Sequence, residues 1–204
     1  MAGILRLRGI NIVLGPIDVM LLVTRAFEQL SIPYVVGGSM ASSIYGMARS
    51  TRDADLVADV RREHIQPFMA AIGSDFYVSE SAIREAIDRH GSFNVVHQAA
   101  QFKVDIFVRA SDPFTQSQFA RRQREPMATE PTQEAFVASP EDTLLSKLAW
   151  YKQGGETSDQ QWKDVLGILK IQGSRLDLAY ARQWAAQLGV HELLARALQE
   201  AHVA

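Results

Sequence analysis

The chain has 204 residues, 47% hydrophobic and 22% charged, enough to bury about 70% of its unfolded surface without a covalent staple. It contains no cysteine, which excludes disulfides, thiolate metal centres and a cysteine nucleophile, and which fits an intracellular compartment. A formal net charge of −2 gives no global signal for nucleic acid and leaves room only for a local basic face.

In chain order, Met1 to Gly15 mixes Arg6 and Arg8 with apolar residues and has neither a cleavage site nor a membrane-length apolar run. The expectation is a soluble, cytoplasmic protein with no membrane partner. Ile17 to Leu30 repeats apolar residues at helical spacing and stops at Ser31-Ile32-Pro33. Tyr34-Val35-Val36 reads as a short buried strand running into Gly37-Gly38. Ser39 then caps a small-residue helix, Met40 to Tyr45, which Gly46 ends. Asp53 to Val60 alternates as a half-buried strand, with Ala54, Leu56, Ala58 and Val60 on one face. A helix over Arg61 to Ile72, a brief strand at Phe76-Tyr77-Val78 and a helix over Ser81 to Arg89 follow.

Ser92 to His97 and Phe102 to Val108 form a hairpin across Gln98-Ala99-Ala100-Gln101. Ser111 to Arg122 is helical, and Thr129 to Val137 carries weaker strand signals broken at Pro131. Ser139 then caps a helix with Pro140 at its first position and Asp142 near the capping-box site. Helical patterns run over Thr143 to Lys152, Ser158 to Ile171, Asp177 to Leu188 and His191 to His202. The chain thus divides into an α/β region, 1–138, and a helical region, 139–204, with no internal repeat.

Successive strand residues alternate faces, so Asp53 and Asp55 project from one face, close enough to share metal ions. The Gly37-Gly38 turn lets backbone approach phosphates without a Cβ in the way, and its amides can donate to them. Together they describe a site for a nucleoside triphosphate bound with magnesium, a hard ion that takes carboxylate, phosphate and water oxygens. In the later strand Phe102, Val104, Ile106 and Val108 share one face, and Lys103, Asp105 and Phe107 the other. Asp105 therefore stands opposite a face committed to the core.

Lys103 is either an ion-pair partner of Asp105 or a phosphate contact, and Arg52 is equally open. Asp59 has the parity of Asp53 and Asp55 but lies further along and reads as a surface residue. Trp150 and Trp162 fall at helical spacing with leucines and read as core. The five histidines, His64, His90, His97, His191 and His202, show no ligand spacing, which argues against zinc. Arg121, Arg122 and Arg124 form a small basic cluster, a solvated face or a contact to the phosphates of an RNA.

Gly37-Gly38-Ser39 followed by Asp53-Ala54-Asp55 and the strand residue Asp105 resembles the DNA polymerase β-like nucleotidyltransferase superfamily. Within it, the segment Arg49 to Leu56 downstream of the glycines is most similar to the AbiE-type nucleotidyltransferase toxins. Leu144 to Ala149 is similar to that family's lysine helix, and Gln161 to Leu166 to its Arg/Lys-x-x-Asp helix. The resemblance covers 32–168 in pieces. The 14 residues between Gly38 and Asp53 exceed the family's usual spacing and read as a loop variation.

The resemblance implies an α+β fold, a small mixed sheet flanked by helices with a C-terminal helical bundle. It assigns catalysis and magnesium binding to Asp53, Asp55 and Asp105, and nucleotide binding to Gly37, Gly38, Ser39, Arg52, Lys103, Lys147 and Asp164. Lys147 would meet the triphosphate as a point charge, with Asp164 orienting that lysine or a water; the bland alternative for both is an exposed helix charge. The implied reaction is magnesium-dependent transfer of a nucleoside monophosphate from a triphosphate to an acceptor hydroxyl. RNA, tRNA included, is the implied acceptor in a toxin–antitoxin or phage-defence setting, with an antitoxin protein as partner. A small cationic acceptor such as an aminoglycoside suits the mildly acidic chain as well. A nucleotide-binding module without turnover is the third possibility, against which the presence of all three aspartates argues.

Overall fold

The computed structural model describes residues 3–7, 10–48, 50–51, 53–129 and 132–203, with backbone alone over 3–7, 10–13 and 128–129. The chain folds as two units, Met1–Val36 with Thr51–Val137, and Gly37–Ser50 with Ala138–Ala204. Residues 37–50, placed by the sequence division with the α/β region, pack within the helical unit.

In the first unit, β1 (Gly3–Leu7) and β2 (Ile10–Leu14) pair antiparallel as a separate ribbon. This hairpin is not anticipated from the sequence, although a glycine between two runs rich in Ile, Leu and Val is a hairpin signal. In α1 (Pro16–Gln29), Asp18 Oδ2 accepts the Gly15 amide at 2.8 Å, closing the first turn. Its buried face carries Val19, Met20, Val23 and Phe27.

The main sheet contains β3 (Tyr34–Val36), β4 (Asp53–Ala58), β5 (Phe76–Tyr77), β6 (Ser92–His97), β7 (Phe102–Val108), β8 (Gln123–Thr129) and β9 (Thr132–Val137). Their spatial order is β5-β6-β7-β4-β3-β9-β8, with β4/β7 and β3/β9 parallel and the other pairs antiparallel. Helices α3 (Ile65–Ile72), α4 (Glu80–Arg89) and α5 (Pro113–Arg121) complete the unit. The alternation read from the sequence holds: Ala54, Leu56, Ala58, Val104 and Ile106 are fully buried, and Val108 nearly so. Phe27 stacks on Phe68 at 5.0 Å, and Phe68 meets Phe93 edge-on at 6.3 Å. Such ring pairs add about 0.5–1.5 kcal/mol beyond their buried area.

Strand β8, which carries Pro126, is also absent from the sequence reading; a proline inside a run argues against a central strand. Its position at the sheet edge removes the objection, because a proline there withholds no amide that the ladder needs, and the register shifts between Pro126 and Ala128.

The second unit comprises α2 (Gly38–Tyr45), α6 (Pro140–Gln153), α7 (Asp159–Gln172), α8 (Leu178–Gln187) and α9 (His191–Ala201). The expected cap at Ser139 forms, and Ser158, read only as the start of a helical pattern, caps α7 in the same way, each hydroxyl accepting the amide three residues on. Ser39 does not act as a cap. Gly37 occupies that position and Ser39 lies in the first turn, its carbonyl accepting the Ser42 and Ser43 hydroxyls at 3.1 and 2.9 Å. α2 packs on α7 through glycines: a Cβ on Gly46 would stand 3.0 Å from the Ile168 amide nitrogen, and one on Gly167 3.2 Å from that of Met47. Trp162 is buried against Tyr151 as expected, with its Nε1 donating to Glu200 at 2.9 Å. Trp150 is 54% exposed instead, because α6 buries the face carrying Leu144, Leu145, Leu148 and Tyr151.

Tyr34 gives this core a pH signature. Burial, with further effects from Glu28 and Phe136, pushes its phenol from 10.0 up to about 12. Between those values the unfolded chain has released the proton and the folded chain retains it, so stability falls as pH rises. The expected loss is about 1.4 kcal/mol per pH unit across that window. Urea unfolding of wild type and Tyr34→Phe from pH 9 upward checks this: the difference in slope between the two proteins should equal that value.

Candidate functional site

The parallel register of β4 on β7 sets Asp55 beside Asp105 and Asp53 beside Lys103. All four side chains lie on the face opposite the apolar residues and are half-buried, in a strand pattern that alternates strictly with fully buried neighbours. The three aspartates singled out in the sequence are therefore neighbours in the first unit. Arg52 lies outside the described residues.

Lys103 Nζ is 2.6 Å from Asp105 Oδ2, so of the two alternatives for this lysine the ion pair is the one formed. Its pKa is raised first by this hydrogen bond and then by the charges of Asp105, Asp53 and Asp55, with partial burial opposing. The ammonium thus lies in the field of all three carboxylates. The Thr51 hydroxyl lies 2.9 Å from the carbonyl and 3.2 Å from the Oδ1 of Asp53, fixing the strand's entry. Three hard oxygen donors on one face form the set a magnesium ion takes. Among the described residues, no three acidic or imidazole groups converge closely enough to chelate one ion in this arrangement. Among the described residues, Lys103 is a positive charge that these carboxylates face.

The other predicted residues lie in the second unit. Gly37 precedes α2 as its cap residue, and Gly38 takes φ 54°, a left-handed conformation that favours glycine. Gly37, Gly38 and Ser39 are half-buried. Lys147 on α6 and Asp164 on α7 are not exposed helix charges: each side chain is 5% exposed, and Nζ donates to Asp164 Oδ2 at 2.8 Å. Asp164 is held in turn by Gln160 Nε2, which donates to Oδ1 at 2.9 Å, and by the Ser42 hydroxyl, 3.4 Å from Oδ2.

Sequence reasoning missed both of these supporting residues. Gln160 had a usable signal, since it lies one helical turn before Asp164. Ser42 had none, because its contact spans 122 residues of chain. Through it the helix that follows the glycine turn reaches the buried pair.

No functionally curated protein matches the sequence at a significant level. Among solved structures, the antibiotic-resistance factor ANT(2'')-Ia is similar at 13% identity, with a TM-score of 0.53, over 86% of this chain and 96% of that one. An antigenic nucleotidyltransferase-like protein from Paracoccidioides brasiliensis is similar at 18% identity, with a TM-score of 0.55, over 90% and 91%. JHP933 from Helicobacter pylori is similar at 16% identity, with a TM-score of 0.50, over 87% and 77%. At these identities the likeness shows the fold. The family model described as nucleotidyl transferase AbiEii toxin, type IV toxin–antitoxin system, matches residues 21–196, most of the sequence. The chain therefore belongs to the AbiEii nucleotidyltransferase toxin family.

Proposed function

We propose that this nucleotidyltransferase moves a nucleoside monophosphate from a triphosphate to a hydroxyl of an RNA acceptor, releasing pyrophosphate. The single observation that carries the reading is the β4/β7 register, which gathers Asp53, Asp55 and Asp105 on one face. Phosphoryl chemistry of this kind needs positioning and charge neutralisation more than covalent catalysis. Asp53, Asp55 and Asp105 would have to converge further than they do here to hold magnesium, which would supply that neutralisation on the triphosphate. Asp105 is assigned to take the proton of the attacking hydroxyl, whose oxygen forms the new bond to the α-phosphorus as the bond to pyrophosphate breaks. Lys103 is the counter-charge that a metal on these carboxylates would have to displace.

Gly37, Gly38 and Ser39 are assigned to the phosphates, and Lys147 to their negative charge. Asp164 fixes the lysine's position. A reaction that consumes nucleoside triphosphates suits a cytoplasmic setting, and the toxin family suggests a protein antitoxin as partner. Among the described residues no helix is long and apolar enough to cross a membrane. A small-molecule acceptor is the second reading, suggested by the likeness to ANT(2'')-Ia, a structure of which contains adenylyl-2''-tobramycin.

Incubation with each α-labelled triphosphate, magnesium and total tRNA tests the proposal. Label should enter RNA with wild type, and Asp53→Ala/Asp55→Ala should lower the rate by roughly 10²–10³-fold or more. Full activity in that variant would remove the carboxylates from the mechanism. Label entering an aminoglycoside but not RNA would favour the second reading.

The counter-charge role of Lys103 is checked by titrating Mn²⁺ alone. Lys103→Gln should bind it more tightly than wild type, and equal or weaker binding would show that Lys103 does not compete with the metal. The buried pair makes a stability prediction as well. Asp164→Ala should cost about 3–5 kcal/mol by stranding a buried ammonium, and Lys147→Met/Asp164→Leu should recover most of it. Chemical denaturation reads both, and the recovered double variant should remain inactive in the labelling assay.

A further inference from the structure

Arg109, Arg122 and Arg124 in the first unit are assembled in a way that ion pairing does not explain. Arg109 lies 4.4 Å from the centroid of the Phe119 ring, and Arg122 lies 5.7 Å from that ring and 4.8 Å from Phe136. Arg124 covers Phe136 at 4.5 Å. The rings hold the guanidinium planes in fixed positions and leave their edges to donate, which is the arrangement that suits phosphate oxygens.

The cluster is under-neutralised. Asp59, the carboxylate nearest Arg109 at 3.5 Å, is already gripped by two nitrogens of Arg61 at 3.1 and 3.2 Å. Among the described residues the carboxylates near Arg124 are loose partners, Glu28 at 3.7 Å and Glu134 at 3.8 Å. Arg122 donates Nη1 to the Phe119 carbonyl, but its buried Nε has no hydrogen-bond partner among the described residues. Burial and the charge of Arg109 both lower the pKa of Arg122, the mark of a desolvated cation beside a like charge.

The place of the cluster is also informative. Arg109 follows β7 in extended backbone, its amide donating to the Ala58 carbonyl at 2.9 Å. It has the strand parity of Asp105, four residues back, and so lies about 13 Å along the same face of the sheet. A strand whose terminal hydroxyl lies at Asp105 can reach Arg109 with a phosphate a few nucleotides away.

We infer that Arg109 and Arg122, flanked by Arg124 and set by Phe119 and Phe136, form a phosphate-binding site for the backbone of an RNA acceptor strand. This rests on the RNA-acceptor reading above and adds the surface that holds the strand. The contacts are to phosphate, so they position the acceptor without reading its sequence.

Fluorescence anisotropy of a short labelled single-stranded RNA, titrated with the full chain over a range of salt concentrations, tests the inference. Arg109→Gln/Arg122→Gln should bind about tenfold or more weakly, with a log–log salt slope shallower by about 1.4, two contacts at ~0.7 each. Unchanged affinity and slope would overturn it. Metal-free ATP is the second arm: loss of ATP binding with RNA binding intact would make this a free-nucleotide site and overturn the RNA assignment. Phenylglyoxal modification of wild type, read by mass spectrometry, needs no variant to fold. RNA should protect Arg109 and Arg122, and equal modification with and without RNA would overturn the site. None of these readouts needs turnover: Asp53→Ala/Asp55→Ala should still bind RNA, whereas failure of the transfer reading would appear as absence of label.

Discussion

Everything proposed for the chemistry depends on the parallel pairing of β4 with β7. Ala54, Leu56 and Ala58 on one strand and Val104, Ile106 and Val108 on the other are committed to the core. Strand periodicity then forces Asp53, Asp55, Lys103 and Asp105 to the opposite face. A slip of one residue would bury the carboxylates and expose the aliphatic set, so hydrophobic burial itself locks the acidic face in place. With three carboxylates so close, a cation is needed, and Lys103 provides one. Stability and function pull together in the backbone register and apart in the charge, since a core strand could dispense with those aspartates.

The helical unit solves a different problem with a buried ion pair. Taking Lys147 and Asp164 out of water is costly, and the cost is offset only because Gln160 and Ser42 supply further hydrogen bonds to the carboxylate. Such a pair is poor evidence for stability, since a packed apolar pair would serve as well. Its presence fits a lysine held in one position. The close glycine contacts at Gly46 and Gly167 hold α2 on α7 at the distance where Ser42 meets Asp164.

Membership of the AbiEii family defines the chemistry as nucleotidyl transfer and places the chain beside toxins of type IV toxin–antitoxin systems. Likeness to solved structures adds the fold. The proposed acceptor contacts lie outside the carboxylate face, at the arginines over Phe119 and Phe136. A chain of net charge −2 can still carry such a surface, because summed composition does not register where charges gather.

Local pattern sufficed wherever the physics is local. The alternation of β4 and β7, the cap at Ser139, and the aspartates at fixed parity all follow from neighbouring residues, so they were legible in the amino-acid order. The ribbon β1/β2 and the edge strand β8 were not read: the one had only a short apolar run around a glycine, and the other carried a proline that only an edge position tolerates. Ser39 was misassigned as a cap because Gly37, with no side chain to advertise it, occupies that position. Trp150 looked like core because spacing alone does not say which helix face meets a neighbour.

The sequence by itself determined the acidic face, the glycine turn and the family they resemble. Only the tertiary structure decided that Lys103 neutralises Asp105, that Lys147 and Asp164 are buried together, and that residues 37–50 pack with the helical unit. Those outcomes depend on contacts between residues far apart in the chain and on the desolvation that close packing imposes, neither of which is encoded in any short window of sequence.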